Sequence, residues 1–87
     1  MKHKLCWHPN AWDDYQYWIT TDKKILTKIN ELIRATDREP FVGIGKPEPL
    51  QYMLKGFWSR RITREHRLVY TVNDEYLIII SCRFHYK

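Results

Sequence analysis

The residues able to do chemistry gather in the second half of the chain. Glu48 stands between Pro47 and Pro49 with Lys46 beside it, so its backbone is held extended and its carboxylate is kept out of any helix cap. Arg61, Arg67, Arg83 and His85 fall at odd positions of successive β segments, and where strands pair even with even, odd positions share one face. Arginine's planar fork suits two-point contact with phosphate oxygens, and histidine changes charge near neutral pH. A surface that only binds RNA has no need of a carboxylate. One that cuts RNA by attack of the 2′-hydroxyl needs a base, a stabiliser of charge at phosphorus and an acid for the departing oxygen. Residue types for all three are present.

Positioning them requires a scaffold, and its elements follow from pattern. His3 to Trp7, stopped by Pro9, reads as a first strand. Asn10 is the candidate N-cap of a first helix, with acidic residues in its opening turn, running to about Thr20. Asp22 can cap a second helix whose Ile25, Ile29, Leu32 and Ile33 recur at i, i+4, i+7 and i+8, ending near Thr36. The stretch from Pro40 to Pro49 concentrates glycine and proline and reads as a stiff loop.

Beyond it the period moves towards two. Gln51 to Leu54 reads as a strand or an extended lead-in, and Phe57 to Ile62, His66 to Val72 and Tyr76 to Tyr86 read as strands of an antiparallel meander. The expected fold is α+β: two N-terminal helices on one face of a mostly antiparallel sheet, in the order β-α-α-β-β-β, as a single domain over residues 1–87. Three-residue turns at 63–65 and 73–75 would point even positions inward, among them Trp58, Ile62, Leu68, Tyr70, Ile78, Ile80, Cys82 and Phe84. Arg60 is the misfit in that scheme.

Composition narrows the partner. Fifteen Lys and Arg against ten Asp and Glu give a net charge of +5 over 87 residues, which favours a polyanion, and nucleic acid first. A hydrophobic fraction of 44% with 15% aromatics is that of a folding chain and not of a basic tail. Two cysteines are too few for a disulfide framework, and no run of apolar residues is long enough for a membrane span, so a cytoplasmic protein with no membrane association is expected.

Three longer strings carry a resemblance. Gly45-Lys46-Pro47-Glu48-Pro49-Leu50, Gly56-Phe57-Trp58-Ser59-Arg60-Arg61-Ile62-Thr63 and Cys82-Arg83-Phe84-His85-Tyr86, together with Trp12-Asp13-Asp14-Tyr15 and Glu65-His66-Arg67-Leu68-Val69-Tyr70, resemble the YoeB-type toxins of the RelE superfamily in order and over nearly the whole chain. The resemblance implies the compact microbial-ribonuclease fold. It further implies a ribosome-dependent endoribonuclease that cleaves mRNA in the A site, neutralised by a YefM-like antitoxin and forming a homodimer. Carried across, it makes Glu48 the general base, Arg67 the phosphate-stabilising cation, His85 the general acid and Tyr86 a substrate-positioning residue. Arg61 becomes a second phosphate contact, with Arg83 and Lys46 as further RNA-binding cations. Gln51 stands where the family often has lysine, and Lys87 extends past the usual final tyrosine. The alternative function is a basic RNA- or ribosome-binding module that blocks translation without cutting.

Other signals are weaker. On a strand His3 and Cys6 face opposite ways and no fourth ligand is near, so no metal is expected, nor any cofactor. Gly43-Ile44-Gly45-Lys46 lacks the Ser or Thr and the following helix of a phosphate loop. Trp12, Tyr15 and Trp18 at helical spacing read as core or as a subunit contact, and both cysteines as small buried hydrophobes.

Overall fold

A computed structural model describes residues 1–85 of the chain. The elements are β1 (Lys4–Trp7), α1 (Pro9–Thr21), α2 (Lys23–Arg38), β2 (Glu48–Pro49), a 3-10 turn (Tyr52–Leu54), β3 (Trp58–Arg61), β4 (Arg67–Val72) and β5 (Tyr76–Ser81). They build one five-stranded sheet in the order β1-β5-β4-β3-β2. β1 runs parallel to β5, and every other pairing is antiparallel. The two helices cover one face, where Ala11, Trp18, Ile29, Leu32 and Ile33 meet Leu68, Tyr70, Leu77, Ile79 and Cys82. The expected α+β architecture is the one observed.

Helix boundaries follow local chemistry. α1 starts at Pro9, one residue before the expected cap, because proline is preorganised for the first helical turn and has no N–H to orphan. The cap is His8, whose Nδ1 accepts from the Asn10 N–H at 3.2 Å. Asp13 and Asp14 therefore lie beyond the first turn. Asp22 caps α2 as expected, accepting from the N–H groups of Lys24 and Ile25. The helix runs two residues past Thr36 because its last turn is buried: the Thr36 hydroxyl donates to the Leu32 carbonyl at 2.7 Å.

Asp37, also on that last turn, ties down the start of the chain. Its carboxylate accepts from the N–H groups of Lys2 and His3, each at 2.8 Å, and lies 2.9 Å from Nδ1 of His3. Burial alone would raise its pKa, but these donors overcome burial and bring it down to about 2. A depressed acid contributes stability that is complete above its ordinary 3.8 and is lost as pH falls through the folded value. Asp37→Asn should flatten the rise of unfolding free energy with pH between about 2 and 4, measured by urea titrations across that window.

The sheet corrects the expected face of the last strand. β3 and β4 pair even with even, Trp58 with Tyr70 and Arg60 with Leu68, as expected. On β5 the inward residues are instead Leu77 and Ile79, both fully buried, while Tyr76 and Phe84 are exposed and Ile78 and Ile80 half-buried. The cause is the turn. Asn73 Oδ1 accepts from the N–H groups of Glu75 and Tyr76, and the Asn73 N–H donates to the Tyr76 carbonyl. Four residues therefore separate the paired Val72 and Leu77. A bulge then leaves Ile80 without a counterpart, so Val69 faces Ser81 and inward parity returns to even at Cys82, which is fully buried. The strand ends at Ser81 and does not extend to Tyr86 as expected.

Residues 51–54 form no strand either. The β2–β3 ladder closes where the Leu50 N–H meets the Phe57 carbonyl, and the chain between turns through the 3-10 segment and Gly56 at φ 96°. Cys6 is exposed on the edge strand and not buried as expected. Among the described residues no helix is long and apolar enough to cross a membrane, and no cluster of three His, Cys, Asp or Glu could hold a metal ion.

Candidate active site

The loop that delivers Glu48 is organised by the misfit arginine. Arg60 points inward, as its even parity requires, and is fully buried. Its guanidinium donates to the carbonyls of Glu39 (2.5 Å), Val42 (2.9 Å) and Ile44 (3.0 Å), and its Nε to the Tyr70 hydroxyl (3.3 Å). Tyr70 in turn donates to the Pro40 carbonyl at 2.6 Å. A charged side chain in the core is thus matched by loop carbonyls, and among the described residues no carboxylate is paired with it.

Gly45 closes the loop onto β3. Its carbonyl accepts from the Arg61 N–H at 2.7 Å, and its φ of +80° is a left-handed conformation. A Cβ there would lie 2.8 Å from Leu32 Cδ2 and 3.1 Å from Arg60 Cβ. Gly45→Ala should cost about 1–3 kcal/mol through strain and crowding together, read as a lowered urea midpoint with an unchanged slope.

From Gly45 the chain reaches β2, the two-residue edge strand. Glu48 pairs with Ser59 and Pro49 with Trp58. Proline tolerates this position because an edge strand has no further ladder to serve. Directly opposed residues share a face, so Glu48, Ser59, Val69 and Ser81 form one row across the sheet, on the side away from the helices. Two positions along, Arg61 pairs with Arg67 on that same face. Two strand spacings of about 4.8 Å and a two-residue offset place the Glu48 and Arg67 Cα atoms about 12 Å apart. That gap suits two long side chains reaching towards one phosphate. Beside Glu48 a hollow of about 670 Å³ is lined by residues 48–54.

The C-terminal segment is tied to α1 and to the start of β4 although it is no longer a strand. The Asp14 carboxylate accepts from the Cys82 N–H at 3.0 Å, and Trp18 Nε1 donates to the Cys82 carbonyl at 2.8 Å. Burial raises the Asp14 pKa, against the lowering effects of the Cys82 N–H and of Arg83. Burial likewise pushes the Cys82 thiol up to about 12, with the Asp14 charge adding to it, so this sulfur is inert. Two residues on, the Arg67 N–H donates to the Phe84 carbonyl (3.0 Å), and the Phe84 N–H donates to Nδ1 of His66 (2.8 Å). His85 follows immediately, exposed, with Nε2 3.3 Å from the Arg64 carbonyl.

The expected residues divide as follows. Glu48, Arg61 and Arg67 share a face, and His85 is carried next to Arg67. Arg67 gives Nη1 to the turn carbonyls of Thr63, Arg64 and His66. Among the described residues its Nε and Nη2 make no hydrogen bond, which leaves donors for an anion. Lys46 is exposed at the loop end, two residues before Glu48, at φ 50°. Arg83 is engaged elsewhere: its guanidinium carbon lies 3.6 Å above the Tyr17 ring of α1 and 4.6 Å from that of Phe84. Tyr86 lies outside the described residues. Sequence reasoning passed over Asp14 and His66, which anchor the segment before His85. Their signal was present only as members of longer matching strings.

Of the helical aromatic series, Trp18 is core, Tyr15 donates to Asn30 Oδ1 at 2.6 Å, and Trp12 is half-exposed beside Trp7.

Comparison with known proteins agrees with this architecture. Residues 7–86 match the model of the YoeB-like toxin of bacterial type II toxin-antitoxin systems. Toxin YoeB of Escherichia coli strain K12 is 64% identical over 83 residues, covering 95% of this chain and 99% of that protein. The YoeB dimer from Staphylococcus aureus superposes with a TM-score of 0.93 at 48% identity, covering 99% and 100% of the two chains. The heterotetrameric YoeB-YefM toxin-antitoxin complex of the same species contains a chain matching at 0.90 and 48%, with the same coverage. With residues 7–86 matched to that family and nearly the full length shared with such relatives in sequence and in fold, this chain belongs to the YoeB-like toxin family of bacterial type II toxin-antitoxin systems.

Proposed function

We propose that this toxin is a ribosome-dependent endoribonuclease that cuts mRNA in the A site and so arrests translation in the cytoplasm. The observation that supports this reading is that Glu48, Arg61 and Arg67 share the sheet face away from the helices while the segment carrying His85 is hydrogen-bonded to the Arg67 backbone. Glu48 takes the proton of the 2′-hydroxyl, whose oxygen then attacks phosphorus. Arg67, seconded by Arg61, balances the added charge on the five-coordinate phosphorus. His85 gives its proton to the 5′ oxygen as that bond breaks. The products are a 2′,3′-cyclic phosphate and a 5′-hydroxyl, and Glu48 and His85 then exchange protons with water to restore the enzyme. Tyr86 positions the substrate, and Lys46 adds attraction for the backbone.

In its cellular setting the chain is held inactive by a YefM-like antitoxin and forms a homodimer, by analogy with the staphylococcal assemblies. The test is primer extension on mRNA programmed into ribosomes with a defined A-site codon. The expected result is a new 5′ end within that codon, carrying a hydroxyl and not a phosphate. Arrest of translation with intact mRNA would instead make the chain a non-cutting ribosome binder.

A further inference from the structure

The acid proposed above hangs on a backbone hydrogen bond to a second histidine. His66 Nδ1 accepts from the Phe84 N–H at 2.8 Å, while the neighbouring Arg67 N–H donates to the Phe84 carbonyl at 3.0 Å. Both polar groups of the residue before His85 are therefore held from adjacent positions at the start of β4. The His66 ring is fixed from two further sides, edge-on to Trp18 with centroids 4.8 Å apart and 5.7 Å from the Phe84 ring. Its Nδ1 can accept only while unprotonated.

We propose that His66 is a positioning residue: its neutral ring latches the C-terminal segment so that His85 stands beside Arg67, and a proton on Nδ1 releases it. This rests on the RNA-cleaving reading for its consequence, though not for its geometry. The surroundings favour the latched form. Burial is the main influence lowering the His66 pKa below 6.5, and Arg83, His85 and Arg67 act in the same direction. Glu65 on the turn opposes them, and the Asp14 carboxylate of α1 also faces the ring. Because the folded pKa is the lower one, the latch contributes stability fully above about pH 6.5 and loses it as pH falls towards the folded value.

His66→Asn keeps an acceptor near the place of Nδ1 that does not titrate, while His66→Leu fills similar space with none. In amide NMR spectra of the purified toxin, the Phe84 N–H should shift with pH along the titration of the His66 ring, at a midpoint below 6.5, and should not do so in His66→Asn. In single-turnover cleavage on programmed ribosomes, His66→Leu should lose about 2-fold to 10-fold in rate with little change in apparent affinity, the span expected for losing one hydrogen bond whose donor can turn to water. His66→Asn should recover most of that rate and lose part of its acid-side decline. A Phe84 amide indifferent to the His66 titration overturns the latch, as do equal rates in the two variants, whether high or low. Should the unmodified toxin cut nothing, the cleavage reading fails, and the Phe84 amide still decides the latch.

Discussion

Glu48→Gln, Arg67→Ala and His85→Gln should each cut A-site mRNA about 100-fold to 10,000-fold more slowly than the unmodified toxin, while folding normally. The size follows from the roles. Glutamine cannot take the 2′-hydroxyl proton, alanine cannot balance charge at phosphorus, and glutamine at 85 cannot supply a proton to the leaving oxygen. Normal folding is expected because Glu48 and His85 are exposed and, among the described residues, the Arg67 side chain bonds only to turn carbonyls. Single-turnover rates on saturating ribosome complexes measure the loss without interference from binding. Because the three groups serve one transition state, a double variant of Glu48 and His85 should lose far less than the product of the single losses. Unchanged cleavage in any of the three would remove that residue from the chemistry, and in all three would end the proposed mechanism.

Arg60→Leu should cost about 3–5 kcal/mol, a large share of the roughly 4–13 kcal/mol available to a domain this size. Leucine matches the apolar surroundings but withdraws the donors from Glu39, Val42, Ile44 and Tyr70 together. Some of those loop carbonyls can turn to water. The Tyr70 hydroxyl, on a fully buried residue, cannot easily do so. Arg60→Lys should recover little, because one ammonium cannot span acceptors that the guanidinium reaches along three separate edges. The urea midpoint measures the stability. The loop itself can be followed through Trp58 fluorescence, since Phe41 of the loop packs on that ring with centroids 4.7 Å apart. A midpoint within experimental error of the unmodified chain would show that the loop carbonyls have no need of Arg60.

These two sets of residues mark how much the sequence could disclose. The β3–β4 register was legible because Trp58, Ile62, Leu68, Tyr70 and Val72 all obey one parity, and that register sets Arg61 against Arg67. Glu48 was legible as an extended, stiffly held acid, since flanking prolines dictate backbone shape locally. The inward face of β5 was not. Its five central residues, Leu77 to Ser81, are apolar on both parities but for the last, so alternation gave no vote, and the choice fell to an Asn73 side chain and a bulge. The 3-10 turn at 52–54 was hidden for a similar reason, because Tyr, Met and Leu fit a strand until the ladder is known to close at Leu50 and Phe57. Arg60 stood out as an anomaly without an explanation, as three of its four partners are main-chain carbonyls up to 21 residues away, and backbone carbonyls leave no mark in a sequence.

The unpaired Ile80 works as a phase shifter. Ahead of it the odd side chains Leu77 and Ile79 enter the core, and after it the even Cys82 does. Were the bulge ironed out instead, with Ile80 paired opposite Val69, the earlier phase would run on and rotate Cys82 outward, withdrawing its amide from Asp14 and its carbonyl from Trp18. The aim of the last histidine therefore depends on where the ladder skips a beat upstream, at the backbone of an otherwise ordinary isoleucine and hardly at all at its side chain.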